Sequence, residues 1–108
     1  MRGLLTAAAL TLALAAVSGC AKPEAPRSFT VTIANMAYGA LPPSLRTGDK
    51  ITWVNKDLFQ HTITAKDGSF DLDLPPNGQG VTVMSHAGTI DFYCRYHPGM
   101  TGRLSVAG

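Results

Sequence analysis

The chain has 108 residues, of which 45% are hydrophobic and 15% are charged. Its 9 lysines and arginines against 7 aspartates and glutamates give a formal net charge of +2. The length allows one small domain, the composition is not that of a disordered chain, and the charge excludes a strongly basic surface for nucleic acid.

The N-terminal segment is predicted to be an export signal. Met1 and Arg2 precede an apolar run over residues 4–17, LLTAAALTLALAAV. A free transmembrane helix needs about 20 apolar residues. A shorter apolar run after a positive start is instead typical of a secretory signal.

The end of this segment, Val17-Ser18-Gly19-Cys20, resembles the lipobox of bacterial lipoproteins, in which an acylated cysteine becomes the mature N-terminus. This resemblance implies a signal peptide over residues 1–19, lipidation of Cys20, and a membrane-anchored domain on the periplasmic side of a bacterial envelope. An ordinary signal peptide with an incidental cysteine is the alternative. The Pro/Ala-rich residues 20–27 are predicted to form a tether, and residues 28–108 the folded domain.

The domain consists of short β-rich segments separated by Gly, Pro, Asn and Asp, without a long segment of helical periodicity. This pattern favours an all-β sandwich or small barrel. Strands are predicted over residues 29–33, 51–54, 62–64, 81–83, 89–94 and 103–106.

Cys94 needs an explanation, because acylation of Cys20 would leave it as a single thiol in an oxidising compartment. On the predicted strand 89–94, alternation puts Ile90, Phe92 and Cys94 on the face that points into the core. An inward cysteine is often just a small apolar residue. A bound metal would also account for it.

The segment from Cys94 to Met100, CRYHPGM, offers a thiolate, an imidazole and a thioether on one loop. Soft sulfur together with imidazole favours copper over hard cations, and two histidines, one cysteine and a weak axial methionine form a blue-copper ligand set. The second histidine has to be His61 or His86. His61 is favoured because it directly precedes the predicted strand 62–64, whereas His86 is expected to be solvated.

Residues 51–62, with ITWVN before HT, resemble the cupredoxins when taken together with the loop 94–100. The likeness is greatest to cupredoxins of the amicyanin and plastocyanin type, extends to Asn35-Met36-Ala37-Tyr38, and covers about residues 28–107. It implies a Greek-key β-sandwich of about seven to eight short strands. It also implies one copper ion, cycling between Cu(I) and Cu(II), with the ligands His61, Cys94, His97 and Met100.

The resemblance further implies that Asn55, Thr62 and Pro98 support the ligands. Thr62 stands where many members have Asn or Ser, and Gln60 stands where amicyanin-like chains have Pro. An apolar docking patch is expected around the exposed edge of His97; its residues are Leu58, Phe59, Pro98 and Gly99.

The expected function is that of a monomeric electron carrier, which docks weakly and transiently with a redox donor and a redox acceptor and does not turn over a substrate. The ligand set leaves no open coordination position for substrate chemistry. Copper storage, delivery or tolerance remains an alternative. A multicopper oxidase or nitrite reductase would need more than the 3 histidines present, and a structural zinc site is disfavoured by the methionine.

Overall fold

The computed structural model describes residues 3, 8–9, 11–12 and 24–108. Most of the predicted signal segment, the lipobox with Cys20, and residues 21–23 of the predicted tether lie outside the described residues. In the part that is described, no helix is long and apolar enough to cross a membrane.

Residues 24–108 form two stacked β-sheets, which confirms the predicted all-β sandwich. One sheet has the order β2-β1-β4-β7 and the other the order β3-β9-β8-β5-β6. The nine strands in this region are β1 Ser28–Ala34, β2 Ala37–Tyr38, β3 Leu45–Arg46, β4 Lys50–Asn55, β5 His61–Ala65, β6 Asp71–Leu74, β7 Gln79–Val83, β8 Gly88–Tyr93 and β9 Thr101–Ala107.

The six strands predicted from the sequence all form, and β2, β3 and β6 bring the number above the predicted seven to eight. β2 and β3 have two residues each and form by pairing with β1 and β9. The prediction of a strand over 89–94 was wrong at its end: β8 stops at Tyr93, and Cys94 is the first residue of the loop that follows.

An aromatic cluster fills the core between the sheets. The rings of Tyr38, Trp53 and Phe92 contact one another edge to face, with centroids 4.8 to 5.9 Å apart. The Trp53 indole N–H donates to the hydroxyl of Thr82 at 2.9 Å, so its polar atom is satisfied inside the core. A Cβ at Gly102 would lie 2.2 Å from the Phe92 ring, so only glycine leaves room for that ring.

The directions of the strands bring one terminus of each of five strands to the same end of the sandwich. β1 and β4 run parallel and both reach this end, where Ile33 pairs with Asn55. β5 starts here at His61, β8 ends here at Tyr93, and β9 starts here at Thr101, which pairs with Tyr93. We call this the loop end, and the candidate site lies there.

The opposite end of the sandwich contains a buried carboxylate. Asp49 is 2% exposed and accepts backbone N–H bonds from Arg27 and Arg46, at 2.9 and 2.8 Å. It also pairs with the Arg27 guanidinium at 2.8 Å. Burial raises the pKa of the Asp49 carboxyl, but these donors and the arginine charge outweigh burial and lower that pKa to about 2.

The Asp49 contacts hold the end of the predicted tether against the domain. Arg27 donates both its backbone and its side chain to Asp49, and its carbonyl accepts the N–H of Lys50 at 2.9 Å. Glu24 pairs with Arg46. The tether predicted over residues 20–27 is therefore bound to the domain at its last residue, Arg27.

We expect Asp49→Asn to lower the free energy of unfolding by about 2 kcal/mol at pH 7, because charge-assisted hydrogen bonds to a buried carboxylate are lost. The folded-state pKa is lowered from 3.8 to about 2. The contribution is therefore complete above the unfolded-state pKa and is lost as the pH falls from about 4 to about 2. Denaturant unfolding of both proteins across this range measures it.

Glu24→Gln is the control, since Glu24 is 66% exposed and its pair with Arg46 lies in solvent. That variant should stay within about 0.5 kcal/mol of the unmodified chain. Equal stabilities of Asp49→Asn and the unmodified chain at pH 7 would contradict the assigned role of Asp49.

Candidate metal centre

The loop from Cys94 to Met100 is closed by its own backbone. The His97 N–H donates to the Cys94 carbonyl at 3.2 Å, and the Met100 N–H donates to the His97 carbonyl at 2.8 Å, which makes two successive four-residue turns that share His97. The Cys94 N–H donates to the Met100 carbonyl at 3.0 Å. The spacing Cys-x-x-His-x-x-Met therefore corresponds to two successive turns, and each of the three candidate ligands stands at the end of a turn.

His61 comes to the same place from the other side of the loop end, and Asn55 fixes the loop before it. Asn55 is fully buried, and its amide donates to the carbonyls of Phe59, Leu74 and Pro75 at 2.8 to 3.2 Å. Its side-chain oxygen accepts the N–H of Asp57 at 2.9 Å. The loop between β4 and His61 is thus held by one side chain at its base.

Three side chains from these two loops form a cluster whose spacing fits one metal ion. Cys94 Sγ lies 3.8 Å from His61 Nδ1 and 3.6 Å from His97 Nδ1, and the ligand atoms all lie within 4.8 Å of one another. With metal–sulfur bonds of about 2.3 Å and metal–nitrogen bonds of about 2.0 Å, sulfur and nitrogen donors of one ion lie roughly 3.5–3.8 Å apart at tetrahedral to trigonal angles. The two sulfur–nitrogen distances therefore match those of donors that share one ion.

The environment of Cys94 favours the thiolate, which is the metal-binding form of cysteine. Cys94 is fully buried, and burial alone would raise the pKa of its thiol. Hydrogen bonds to Sγ, of which that from the Thr62 N–H at 3.3 Å contributes most, outweigh burial and lower the pKa of Cys94 to about 6.

Thr62 touches the thiolate through its backbone and not through its side chain. Its hydroxyl instead accepts the Arg95 N–H at 2.8 Å and bonds the hydroxyl of Thr64 at 2.8 Å. Its carbonyl accepts the phenol of Tyr38 at 2.5 Å. Thr62 therefore supports Cys94 by position, and its hydroxyl links β5 to the loop that follows Cys94.

The sequence predicts Met100 as a ligand and His86 as a solvated residue, and the positions of both residues agree with this. Met100 is 6% exposed and lies at the end of the loop that carries Cys94 and His97. His86 lies outside the cluster: its side chain is 47% exposed and pairs with Asp67 at 3.0 Å. The choice of His61 over His86 is confirmed by this geometry.

The predicted docking residues are exposed at the loop end. Leu58 is 87% and Phe59 54% exposed, and Pro98 and Gly99 are exposed as well. The Phe59 ring lies 6.3 Å from the His97 ring, centroid to centroid. His97 is partly exposed, whereas His61 is fully buried. Solvent therefore reaches the cluster at His97, among apolar side chains.

Asp57 is a residue of this site that the sequence did not reveal. Its carboxylate lies 2.9 Å from His61 Nε2, on the far side of the ring from Cys94. The bonds from His61 and from the backbone N–H of Met36 hold the pKa of Asp57 below its usual range. The only signal in the sequence is an acidic residue four positions before a candidate ligand.

Comparison with known protein families agrees with this geometry. A family model described as a cupredoxin-like domain matches residues 5–106. The chain is 36% identical to amicyanin-alpha of Methylorubrum extorquens over 98% of this chain and 99% of that protein. It is 26% identical to amicyanin of Paracoccus denitrificans over 73% of this chain and 65% of that protein.

Solved structures of cupredoxins superpose on this chain. The Cu(I) form of an amicyanin variant superposes with a TM-score of 0.63 at 28% identity, covering 78% of this chain and 86% of that one. A purple cupredoxin from Nitrosopumilus maritimus has a TM-score of 0.63 at 24% identity, covering 72% of this chain and 98% of that one. The second likeness concerns the fold alone.

Proposed function

Because this chain belongs to the cupredoxin-like domain family and is amicyanin-like over almost its whole length, we propose that it shuttles single electrons between redox proteins of a bacterial cell envelope. It is a type 1 copper electron carrier and not an enzyme. The observation that carries the proposal is the cluster of one thiolate and two imidazoles, whose donor atoms are already spaced for one ion.

We assign the ligands atom by atom from the cluster. Cys94 Sγ, His61 Nδ1 and His97 Nδ1 face one another and are the three strong ligands. The Met100 thioether would be the fourth and weakest ligand, an assignment supported by its burial and by the backbone bonds that close the loop. Bound there, copper supplies a one-electron Cu(I)/Cu(II) couple.

The protein contributes a site that changes little when the electron arrives or leaves. His61 and Cys94 are fully buried, and Met100 nearly so, so water and substrates are kept from three of the four ligands. Asn55 and the closed loop 94–100 fix the two segments that carry the ligands. Pro98, with its restricted backbone, directly follows His97 and limits movement of that ligand.

Electrons enter and leave through the partly exposed edge of His97. Leu58, Phe59, Pro98 and Gly99 surround this edge as the docking patch. An apolar surface of this kind suits brief encounters with small interfaces, as electron-transfer pairs use. The chain carries a formal charge of only +2, so the patch and not the overall charge directs docking.

We further propose that acylated Cys20 anchors the domain to a membrane on the periplasmic side. The predicted lipobox supports this proposal, and the contacts of Arg27 support an orientation of the domain. Because Arg27 is bound to the domain through Asp49, at most about 25 Å of extended chain separates Cys20 from this attachment point. Since Arg27 and Asp49 lie opposite the loop end, the docking patch faces the aqueous side.

The redox cycle is tested on the copper-loaded protein by its visible spectrum and by cyclic voltammetry. We expect an intense thiolate-to-copper absorption band that disappears reversibly on reduction, and that is absent from Cys94→Ser. His86→Ala, which removes the histidine outside the cluster, should keep the band. A colourless complex that binds Cu(I) alone and releases it readily would contradict electron transfer and favour copper delivery.

The docking patch is tested by electron self-exchange between two copies, measured from NMR line broadening in mixtures of reduced and oxidised protein. Leu58→Asp should slow self-exchange about tenfold, because each encounter then brings two like charges together on a desolvating surface. Val81→Asp is the control, since Val81 is 50% exposed on β7 and lies outside the patch. Equal rates for both variants would contradict the patch.

The anchor is tested by expressing the full chain in a Gram-negative host. The mature protein should sediment with membranes and show an acylated N-terminal Cys20 by mass spectrometry, and Cys20→Ser should not. Cys94→Ser, which removes the other cysteine, should still sediment.

The orientation is tested with reduced protein anchored in vesicles. Its rate of reaction with external ferricyanide should be within about twofold of the rate of the soluble domain, because the patch faces water. An unacylated mature N-terminus would contradict the anchor, and a much slower reaction would contradict the orientation.

A further inference from the structure

Asp57 contacts the candidate ligand His61 on the side of the ring that faces away from Cys94. Its Oδ2 lies 2.9 Å from His61 Nε2, while His61 Nδ1 faces Cys94 Sγ at 3.8 Å. The Asp57 side chain is 10% exposed and that of His61 is fully buried. The two ring nitrogens of His61 therefore have different partners in a largely dry environment.

The same carboxylate binds the turn between β1 and β2. The Met36 N–H donates to Asp57 Oδ2 at 2.8 Å. Asn35 and Met36 both have left-handed backbone conformations, with φ of 52° and 60°, which is the pattern of a tight two-residue hairpin. Asparagine adopts this conformation readily and methionine does not. Asp57 thus stabilises an unfavourable turn and touches His61 through one oxygen.

Its remaining contacts fix Asp57 in place. Oδ1 accepts the N–H of Leu58 at 2.8 Å, and the Asp57 N–H donates to Asn55 Oδ1 at 2.9 Å. Asn55 is fully buried. Both carboxylate oxygens of Asp57 therefore have hydrogen-bond partners before any metal binds.

We propose that Asp57 is a positioning residue that selects the His61 tautomer for metal binding. An ionised carboxylate only accepts hydrogen bonds, so it requires the proton of neutral His61 to be on Nε2. The lone pair is then on Nδ1, directed toward Cys94, and the ring cannot rotate without losing the bond. This inference rests on the proposed role of His61 as a ligand.

The β1–β2 turn is thereby part of the support of the site. The Met36 N–H and His61 Nε2–H share Oδ2, so a change in the turn moves the atom that orients His61. The turn lies outside both ligand loops, and Met36 is 39% exposed. Residues with no metal contact can therefore affect metal affinity through Asp57.

The first readout uses the metal-free protein with 15N-labelled histidine. Two-bond 15N–1H correlations at pH 8 should show His61 protonated on Nε2 in the unmodified chain and in Asp57→Asn, which keeps an acceptor oxygen. Asp57→Ala should show a mixture of tautomers or the Nδ1–H form. A single Nε2–H tautomer in Asp57→Ala would overturn the proposal, as would an Nδ1–H tautomer in the unmodified chain.

Asp67→Ala is the matched control. Asp67 Oδ2 pairs with His86 Nε2 at 3.0 Å, nearly the distance in the Asp57–His61 pair, but His86 lies outside the cluster. Asp67→Ala should therefore leave the His61 tautomer unchanged. A change at His61 in this variant as large as in Asp57→Ala would overturn the proposal.

The second readout is Cu(I) affinity, measured by competition with a colorimetric chelator. Asp57→Ala should bind Cu(I) about 10- to 100-fold more weakly, the range found when the partner of a metal-bound histidine is removed. Asp57→Asn should recover most of the affinity. If Asp57→Ala folds poorly because the turn is lost, Met36→Gly in the same chain relieves the left-handed conformation and isolates the effect on His61.

The outcomes separate this inference from the proposed function. Unchanged Cu(I) affinity in Asp57→Ala, with the blue band intact, would overturn the role of Asp57 and leave electron transfer standing. A missing charge-transfer band in the unmodified chain would overturn electron transfer. The tautomer measurement on metal-free protein would in that case still decide whether Asp57 orients His61.

Discussion

The site depends on one sulfur, Cys94 Sγ, which is wholly enclosed by protein although its surroundings lower the pKa of the thiol to about 6. A buried charge is costly unless nearby donors or a cation compensate it. At Cys94 the compensation comes from the Thr62 N–H and from the His97 imidazole, since the His61 N–H is bonded to Asp57. The backbone of Thr62 and the imidazole of His97 thus hold the same sulfur that, with the two histidines, defines the position of a soft metal ion.

Strand direction explains why these groups meet. β5 starts, β8 ends and β9 starts at the loop end, so His61, Cys94 and Met100 all lie within a residue of a paired strand terminus. Ligands at strand termini inherit the rigidity of the sheets. That rigidity suits an ion that changes charge but exchanges no ligands, because little of the site has to rearrange.

The sequence was sufficient to predict the features that depend on residues close together in the chain. The loop 94–100 contains its three donors at a spacing that fits two successive turns. Alternation over residues 89–94 correctly predicted an inward Cys94, although β8 ends at Tyr93. It was insufficient where contacts cross the fold. β2 and β3 form only by pairing with β1 and β9, and the bonds of Asp57 and of the Thr62 N–H depend on how loops from different sheets meet.

The protein assembles the ligand positions before copper binds and keeps them through the redox cycle. Crystal structures of the metal-free, Cu(I) and Cu(II) forms at neutral pH would show this. We expect the donor atoms of His61, Cys94, His97 and Met100 to superpose within about 0.5 Å in all three forms. A His61 ring turned away from Cys94 in the metal-free form, or copper bound by other donors, would contradict it.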